Sequence, residues 1–394
     1  MQVCVVITAR PSYSRVKTVL DAIRSHSALE LQLVVSGSAL EERYGAVVSQ
    51  IEKDGYPIVR KLYTLVEGDS PLMMAKTTGL SLVELASTFE QLSPKLVLTV
   101  ADRYETMATA IAASYMNIPL AHLQGGETTG SIDNRVRDSI TKLADLHLVS
   151  SQAACAKVRS LNEPASATIV TGCPSIDIAR KAQTHGPLSS QFIRRHVRRG
   201  EFSSLPEKYL VVMQHSDTTR HHETKLEILQ TIGAIQSMNR PTFWFTPNVD
   251  AGSQALFKEM EKFVYANVKH DLWCIDNLPP GEFLRLIDHC ECLIGNSSVG
   301  IRESAFLGVP VVNIGTRQTG RLRGSNVIDV EPDTTKILRA IRKQVRKGRY
   351  HSDDLYGDGY SGIRVAEAIF SFLENVLHDN SRGSNTGQST QVLE

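Results

Sequence analysis

The sequence predicts an α/β protein of two Rossmann-like domains facing each other across a cleft. Three observations carry that expectation. Short apolar runs alternate with segments of helical apolar spacing, the pattern of parallel strands buried on both faces and joined by crossover helices. The alternation restarts after a polar, basic, proline-containing stretch from Gln183 to Pro206. Finally, 394 residues are too many for one ordinary core.

Gln2 to Thr8 reads as a first buried strand, and the next segment sets Val16, Leu20 and Ile23 on one helical face. Leu31 to Val35 is a second strand, stopped at Ser36-Gly37-Ser38. Met73 to Leu92 is helical, Leu96 to Val100 a strand, and Asp102-Arg-Tyr-Glu105 opens a helix to about Met116. A strand ending at His122, a glycine-rich loop, a helix from Ile132 and a strand from Leu146 to Val149 follow. In the second half, strands are expected at Tyr209–Met213, Thr242–Phe245, Leu272–Ile275, Cys292–Ile294 and Val309–Asn313, with helices between them. Late helices cover Lys336–Val345 and Val365–Leu377. The expected boundaries are a first domain at 1–172, a second at 173–379 with its last helix packing back on the first, and a disordered tail at 380–394 rich in Ser, Gly, Asn and Gln. Two such domains across a cleft form the architecture called GT-B.

Composition narrows the function. Hydrophobic residues make up 42% and charged residues 22%, as in globular proteins generally, and the formal net charge of +1 gives no pull toward nucleic acid or an anionic membrane. The N-terminal apolar run is too short for a secretory leader, and no run is long enough to span a bilayer. The six cysteines are scattered, and Cys290-Glu-Cys292 is too tight for a metal or redox pair. A cytoplasmic, reduced protein without structural zinc is expected.

In open α/β sheets, ligands bind beyond the carboxyl ends of the strands. The richest such end is His122-Leu-Gln-Gly-Gly-Glu127 and the residues to Asp138, with three glycines and five charged groups, and Ser131 as a helix cap. Arg10 and Ser14 follow the first strand at a helix start, suited to a phosphate or a sugar hydroxyl, or simply to a cap. No GxGxxG is present, which argues against a dinucleotide site. Asp102-Arg103 ends the fourth strand and would, by itself, pass for an ion pair. His215 ends the first strand of the second domain, where imidazole can donate to a phosphate or relay a proton. Asn248 ends the next strand. Gly295-Asn-Ser-Ser298 turns a strand into a helix, and its free N–H groups and two hydroxyls make a diphosphate cradle, with Glu303 placed to accept ribose hydroxyls. Gly315-Thr-Arg317 to Arg321 offers basic residues to close over the phosphates.

From about Val3 to about Leu377 these motifs resemble the hydrolysing UDP-N-acetylglucosamine 2-epimerases of sialic-acid synthesis. The resemblance implies a cytoplasmic homodimer or homotetramer that takes a nucleotide-sugar and needs no cofactor. It implies proton removal at C2 with departure of UDP from C1, then hydration of the resulting 2-acetamidoglucal to N-acetylmannosamine. It assigns proton transfer and charge neutralisation to Asp102, Glu127, Asp133, Arg137 and His215. It assigns ligand contacts to Arg10, Ser14, Arg103, His122, Gln124, Asn248, Ser297, Ser298, Glu303 and Arg317. Several relatives carry a carboxylate where this chain has Gln124, and glutamine is no general base at neutral pH. Either another carboxylate does that work, or the substrate is a modified sugar such as a UDP-2,4-diacetamido-2,4,6-trideoxy sugar, or GDP-N-acetylglucosamine.

Overall fold

The structure, a computed structural model, describes residues 1–41, 47–68, 70–129, 132–216, 223–247, 253–266 and 271–385, with side chains to 378. Ser131 and Asn248 lie outside the described residues.

The first half supplies β1 (Gln2–Ile7), β2 (Glu30–Ser36), β3 (Ile58–Leu62), β4 (Leu96–Val100), β5 (Leu120–Leu123), β6 (Leu146–Val149) and β7 (Thr168–Val170). They form one sheet in the order β3-β2-β1-β4-β5-β6-β7, parallel throughout. The second half supplies β8 (Val197–Arg199), β9 (Leu210–Met213), β10 (Thr242–Phe245), β11 (Leu272–Ile275), β12 (Cys292–Gly295), β13 (Val311–Ile314) and β14 (Val327–Val330). Their order is β14-β13-β12-β9-β10-β11-β8, parallel except where β8 runs against β11. The two Rossmann-like lobes expected from the sequence are present.

Helices cover both faces of each sheet, so the central strands are apolar on both sides. Val3, Val5 and Leu98 pack into one core of the first sheet, while Cys4, Val6 and Val97 pack into the opposite one. Each such Val or Leu contributes about 1.5–3 kcal/mol of burial. The edge strands β3, β7, β8 and β14 carry no such run. β3 exposes Arg60 and Lys61, and β8 exposes Arg198 and Arg199, charges that keep a sheet edge from pairing with another chain.

Strand order reverses between β1 and β4 in the first sheet and between β9 and β12 in the second. The crevice beyond the strand ends opens at such reversals. Gly295 closes β12 opposite Met213 with φ of 132°, and a Cβ there would lie 2.0 Å from the Met213 carbonyl oxygen. Glycine alone lets β12 turn into the next loop this close to β9.

The final helix, Ser361–Asn385, lays Val365, Ile369 and Leu373 into the first lobe's core beside Val16, Val19 and Leu20. It continues to Asn385, into the stretch expected to be a disordered tail. Two chain crossings join the lobes side by side. The Cys173 N–H donates to the Tyr356 carbonyl at 2.7 Å, and the Ser361 hydroxyl donates to the Gly172 carbonyl at 2.8 Å. The buried Asp177 carboxylate accepts from the Ser361 and Gly362 N–H groups, at 2.8 and 2.7 Å, and from the Thr18 hydroxyl at 2.9 Å.

Candidate active site

Between the lobes lies a cavity of about 340 Å³. From the first lobe come Arg10, Ser14 and Arg15, at the start of the helix Arg10–Ser25 whose proline sits in the first turn. From the second come His215, Ser297, Ser298, Glu303 and Arg317, with an apolar end formed by Phe245, Leu278 and Phe283. Arg10, Ser14 and these five second-lobe polar residues were all singled out in the sequence, and all line the cavity.

Asp102 follows β4 at the reversal point. It is 7% exposed, ion-paired with the Arg137 guanidinium and 3.8 Å from the Arg15 guanidinium. The other arm of Arg15 reaches the Ser298 hydroxyl at 3.5 Å. One arginine thus spans from the first lobe's carboxylate to the second lobe's serine turn. Burial and the neighbouring Arg302 and Arg321 charges bring Arg15 down to about 9, still cationic at neutral pH. Sequence reading missed Arg15, the sixth residue of its helix, because a helical arginine ordinarily faces water.

The backbone that aims Asp102 is strained. Ala101 has φ of 65° and Gln124, after β5, has φ of 66°, a conformation that costs about 1–3 kcal/mol for a residue with a side chain. His122 holds the first of these in place. Its Nε2 donates to the Ala101 carbonyl at 2.8 Å, and its Nδ1 meets the Thr141 hydroxyl at 3.1 Å. The ring is fully buried, and burial lowers its pKa to about 4, so it stays neutral. His122 therefore props the Asp102 loop and does not line the cavity, a correction to the expected ligand contact. On the second lobe, Asn296 ties the strand end at His215 to the serine turn, its side chain bonding both the His215 N–H at 2.7 Å and the His215 carbonyl at 2.9 Å.

Glu127 also departs from expectation. One oxygen accepts from the Ser150 hydroxyl at 2.9 Å, while the other pairs with Arg321 and lies 3.5 Å from Arg302, both from the second lobe. Burial alone would raise this carboxyl, but Arg321, Arg302 and Arg15 outweigh it and bring it to about 2. Glu127 clamps the lobes together and lines neither cavity, so it bridges Arg321 and Arg302 rather than standing at the place expected for proton transfer. Arg137 is fully buried between Asp102 and the Glu127 carbonyl. Burial, then Arg321, Arg15 and Arg302, weaken its hold on a proton, while the Asp138 charge strengthens it.

Gln124 spans the lobes too, accepting from Arg302 at 3.3 Å and donating to the Cys173 sulfur at 3.0 Å. Asp133 is half-buried in the first turn of the helix Asp133–Leu143 and does not line the cavity. Arg103 forks onto Glu105, both contacts at 3.1 Å, and lines a second, adjoining cavity instead.

Ser298 opens a short 3₁₀ turn and accepts from Arg302 at 3.2 Å. Arg317 donates to the Asn296 carbonyl at 3.1 Å, which lays it along the same turn. Glu303 is buried and lines the cavity, and its Oε2 has no hydrogen-bond partner among the described residues, with the Arg302 guanidinium 3.8 Å away. Buried polar atoms in folded proteins are nearly always bonded, so this oxygen marks a place for ligand donors. Arg10, Arg15, Arg302, Arg317 and Arg321 outnumber the carboxylates Asp102, Glu127 and Glu303 around the cleft, which suits an anion. No cluster of His, Cys, Asp and Glu able to hold a metal occurs among the described residues, and no described helix is long and apolar enough to cross a membrane.

The sequence matches the family model described as UDP-N-acetylglucosamine 2-epimerase over residues 21–370. The chain belongs to this epimerase family. Among its relatives is the Legionella pneumophila UDP-N,N'-diacetylbacillosamine 2-epimerase (hydrolyzing), 28% identical over 94% of both chains. Another is the Campylobacter jejuni GDP/UDP-N,N'-diacetylbacillosamine 2-epimerase (hydrolyzing), 29% identical over 84% of both. The fold is that of the Neisseria meningitidis UDP-GlcNAc 2-epimerase crystallised with UDP-GlcNAc, with a TM-score of 0.76 at 17% identity, covering 94% of this chain and all of that one. The epimerase family thus fixes the GT-B architecture, while the cleft residues above are this chain's own.

A direct check of the serine turn is Ser298→Ala. Losing the hydroxyl that orders Arg15 and Arg302 is expected to weaken UDP binding about five- to tenfold by calorimetry. Unchanged affinity would move the phosphates elsewhere.

Proposed function

We propose that the protein is a hydrolysing 2-epimerase that converts UDP-N-acetylglucosamine to N-acetylmannosamine and UDP, for sialic acid synthesis. The observation that carries this reading is the Arg15 bridge, 3.8 Å from Asp102 and 3.5 Å from Ser298. A proton acceptor on one lobe and a phosphate-binding turn on the other lie one guanidinium apart.

The chemistry asks for that arrangement. A C2 hydrogen with no adjacent carbonyl is scarcely acidic. It becomes so only as the diphosphate departs and positive charge builds at C1. Stabilising the leaving diphosphate is therefore the main task, and Arg10, Arg15, Arg317, His215 and the Ser297–Ser298 turn supply donors for it. Asp102, held between Arg137 and Arg15, accepts the C2 proton. Water then adds at C1 and a proton returns to C2 on the opposite face, a role this reading keeps for Asp133 although it stands outside the cavity lining. Glu303 accepts the ribose hydroxyls. Domain boundaries near 172 and 379 accompany this reading, with the nucleotide held mainly by the second lobe.

A diacetamido-trideoxy sugar is the second reading, favoured by the activities named for the two relatives and by a glutamine rather than a carboxylate at position 124. A panel of UDP-N-acetylglucosamine, UDP-2,4-diacetamido-2,4,6-trideoxyglucose and GDP-N-acetylglucosamine decides between them. The expected result is fastest release of UDP from UDP-N-acetylglucosamine, equimolar with free N-acetylmannosamine. A mixed pool of sugar nucleotides without free UDP would refute hydrolysis, and free N-acetylglucosamine would refute epimerisation.

A further inference from the structure

We infer that Gln124 is a positioning residue for the departing diphosphate, a neutral acceptor that holds Arg302 against the Ser298 turn without cancelling the positive charge the diphosphate needs. The inference rests on the sugar-nucleotide reading and gives a role to a residue that the chemistry described above leaves without one.

Gln124 follows β5, its N–H donating to the Leu148 carbonyl at 2.9 Å, and its φ of 66° lies in the region that favours glycine. Gly125 and Gly126 come next, yet this position keeps a side chain. The residue is 1% exposed and lines neither cavity, so it reaches a ligand only through a neighbour. Both ends of its amide are used. Arginine carries only donors, so the amide oxygen faces Arg302 at 3.3 Å and the NH₂ group donates to the Cys173 sulfur at 3.0 Å. Cys173 stands where the chain crosses between the lobes, and Arg302 lines the cavity. The other arm of Arg302 donates to the Ser298 hydroxyl at 3.2 Å, which Arg15 also reaches at 3.5 Å. Gln124 thus ties the first lobe's strand end and the chain crossing to the guanidinium that orders the serine turn.

Charge explains why the group is an amide. Arg15, Arg302 and Arg321 interact with Glu127 and Glu303 as one cluster largely withdrawn from water, while Asp102 is matched by Arg137. Three guanidinium groups therefore face two carboxylates, an excess of positive charge beside the cavity. Fixed charge of this kind stabilises a leaving diphosphate, and more strongly where water is excluded. A carboxylate at position 124 would accept from Arg302 equally well but would cancel the excess. A methionine would keep the neutrality and most of the volume but lose both bonds.

A purely structural role is the competing account, and the two accounts rank the variants in opposite order. Structure alone makes Gln124→Glu, which keeps the bond to Arg302, milder than Gln124→Met, which loses both bonds. Binding of UDP is measured by calorimetry, and of uridine by ligand-observed NMR, on the wild type and both variants. UDP affinity is expected to fall at least about tenfold in Gln124→Glu and about threefold in Gln124→Met, with uridine affinity within about twofold throughout. The pH profile of turnover in Gln124→Glu should keep the wild-type shape, because residue 124 handles no proton. UDP affinity in Gln124→Glu equal to or above that in Gln124→Met would overturn the inference. So would uridine affinity falling in parallel with UDP, or a new ionisation with faster turnover in Gln124→Glu. Should Gln124→Glu not fold, the UDP-to-uridine affinity ratio in Gln124→Met decides, and an unchanged ratio overturns the inference. Wild-type UDP binding that neither variant alters would leave the epimerase reading standing. No UDP binding by the wild type would overturn that reading, and this one with it.

Discussion

Asp102→Asn is expected to lower turnover about 10³-fold while UDP affinity stays within about twofold. The amide keeps the side chain's shape but neither accepts the C2 proton nor balances Arg137 and Arg15. A general base contributes about 10²–10⁴ in rate, and the departing diphosphate would still be gripped by the second lobe. Affinity is the control that separates chemistry from damage. If the substitution merely loosened the cleft, Arg15 would release Ser298 and UDP binding would fall together with turnover. Turnover within tenfold of wild type would remove Asp102 from proton transfer.

The second large effect concerns stability. Glu127→Gln is expected to destabilise the protein by on the order of 3 kcal/mol at neutral pH, seen as a lower denaturation midpoint. The Glu127 carboxyl sits at about 2 in the folded protein against an ordinary 4.5. A folded-state value depressed in this way gives stability that is fully present above about 4.5 and is lost as the pH falls toward about 2. The gap between wild type and variant should therefore be widest at neutral pH and narrow between pH 4.5 and 2. The substitution also leaves Arg302 and Arg321 facing each other without their shared counter-charge, and both are nearly fully buried. Breaking one half of a buried pair costs about 3–5 kcal/mol for that reason. Denaturation curves at pH 7 and pH 3 provide the check. An unchanged midpoint at pH 7, or a gap that persists at low pH, would contradict the clamp.

The fold was legible because parallel strands covered on both faces are written as apolar runs, as at Val3–Ile7 and Leu96–Val100. Edge strands such as β3 and β8 escaped notice because one side of each faces water and carries arginine or lysine. The serine turn after Gly295 was legible for a different reason. A glycine, an amide and two hydroxyls at a strand end have few other uses, and the turn does line the cavity.

The charged network was harder to read. His122 and Glu127 stand in the same glycine loop as the expected ligand contacts, and proximity in sequence suggested proximity to ligand. His122 instead turns toward Ala101 and Thr141, and Glu127 turns toward arginines nearly two hundred residues away in the chain. Arg321, expected to close over phosphates, instead pairs with Glu127. Arg15 and Arg302 share one difficulty. An isolated arginine in a sequence is indistinguishable from a solvated one until the opposite lobe supplies its carboxylate. The signal that could have found them was an excess of arginines beside carboxylates at the two strand-order reversals.

The account depends on C2 deprotonation coupled to loss of UDP, and deuterium reports on both. UDP-N-acetylglucosamine is incubated with the protein in D₂O and followed by proton NMR. The account predicts N-acetylmannosamine carrying deuterium at C2 and accumulating in step with free UDP. A free sugar that retains its C2 proton would contradict it.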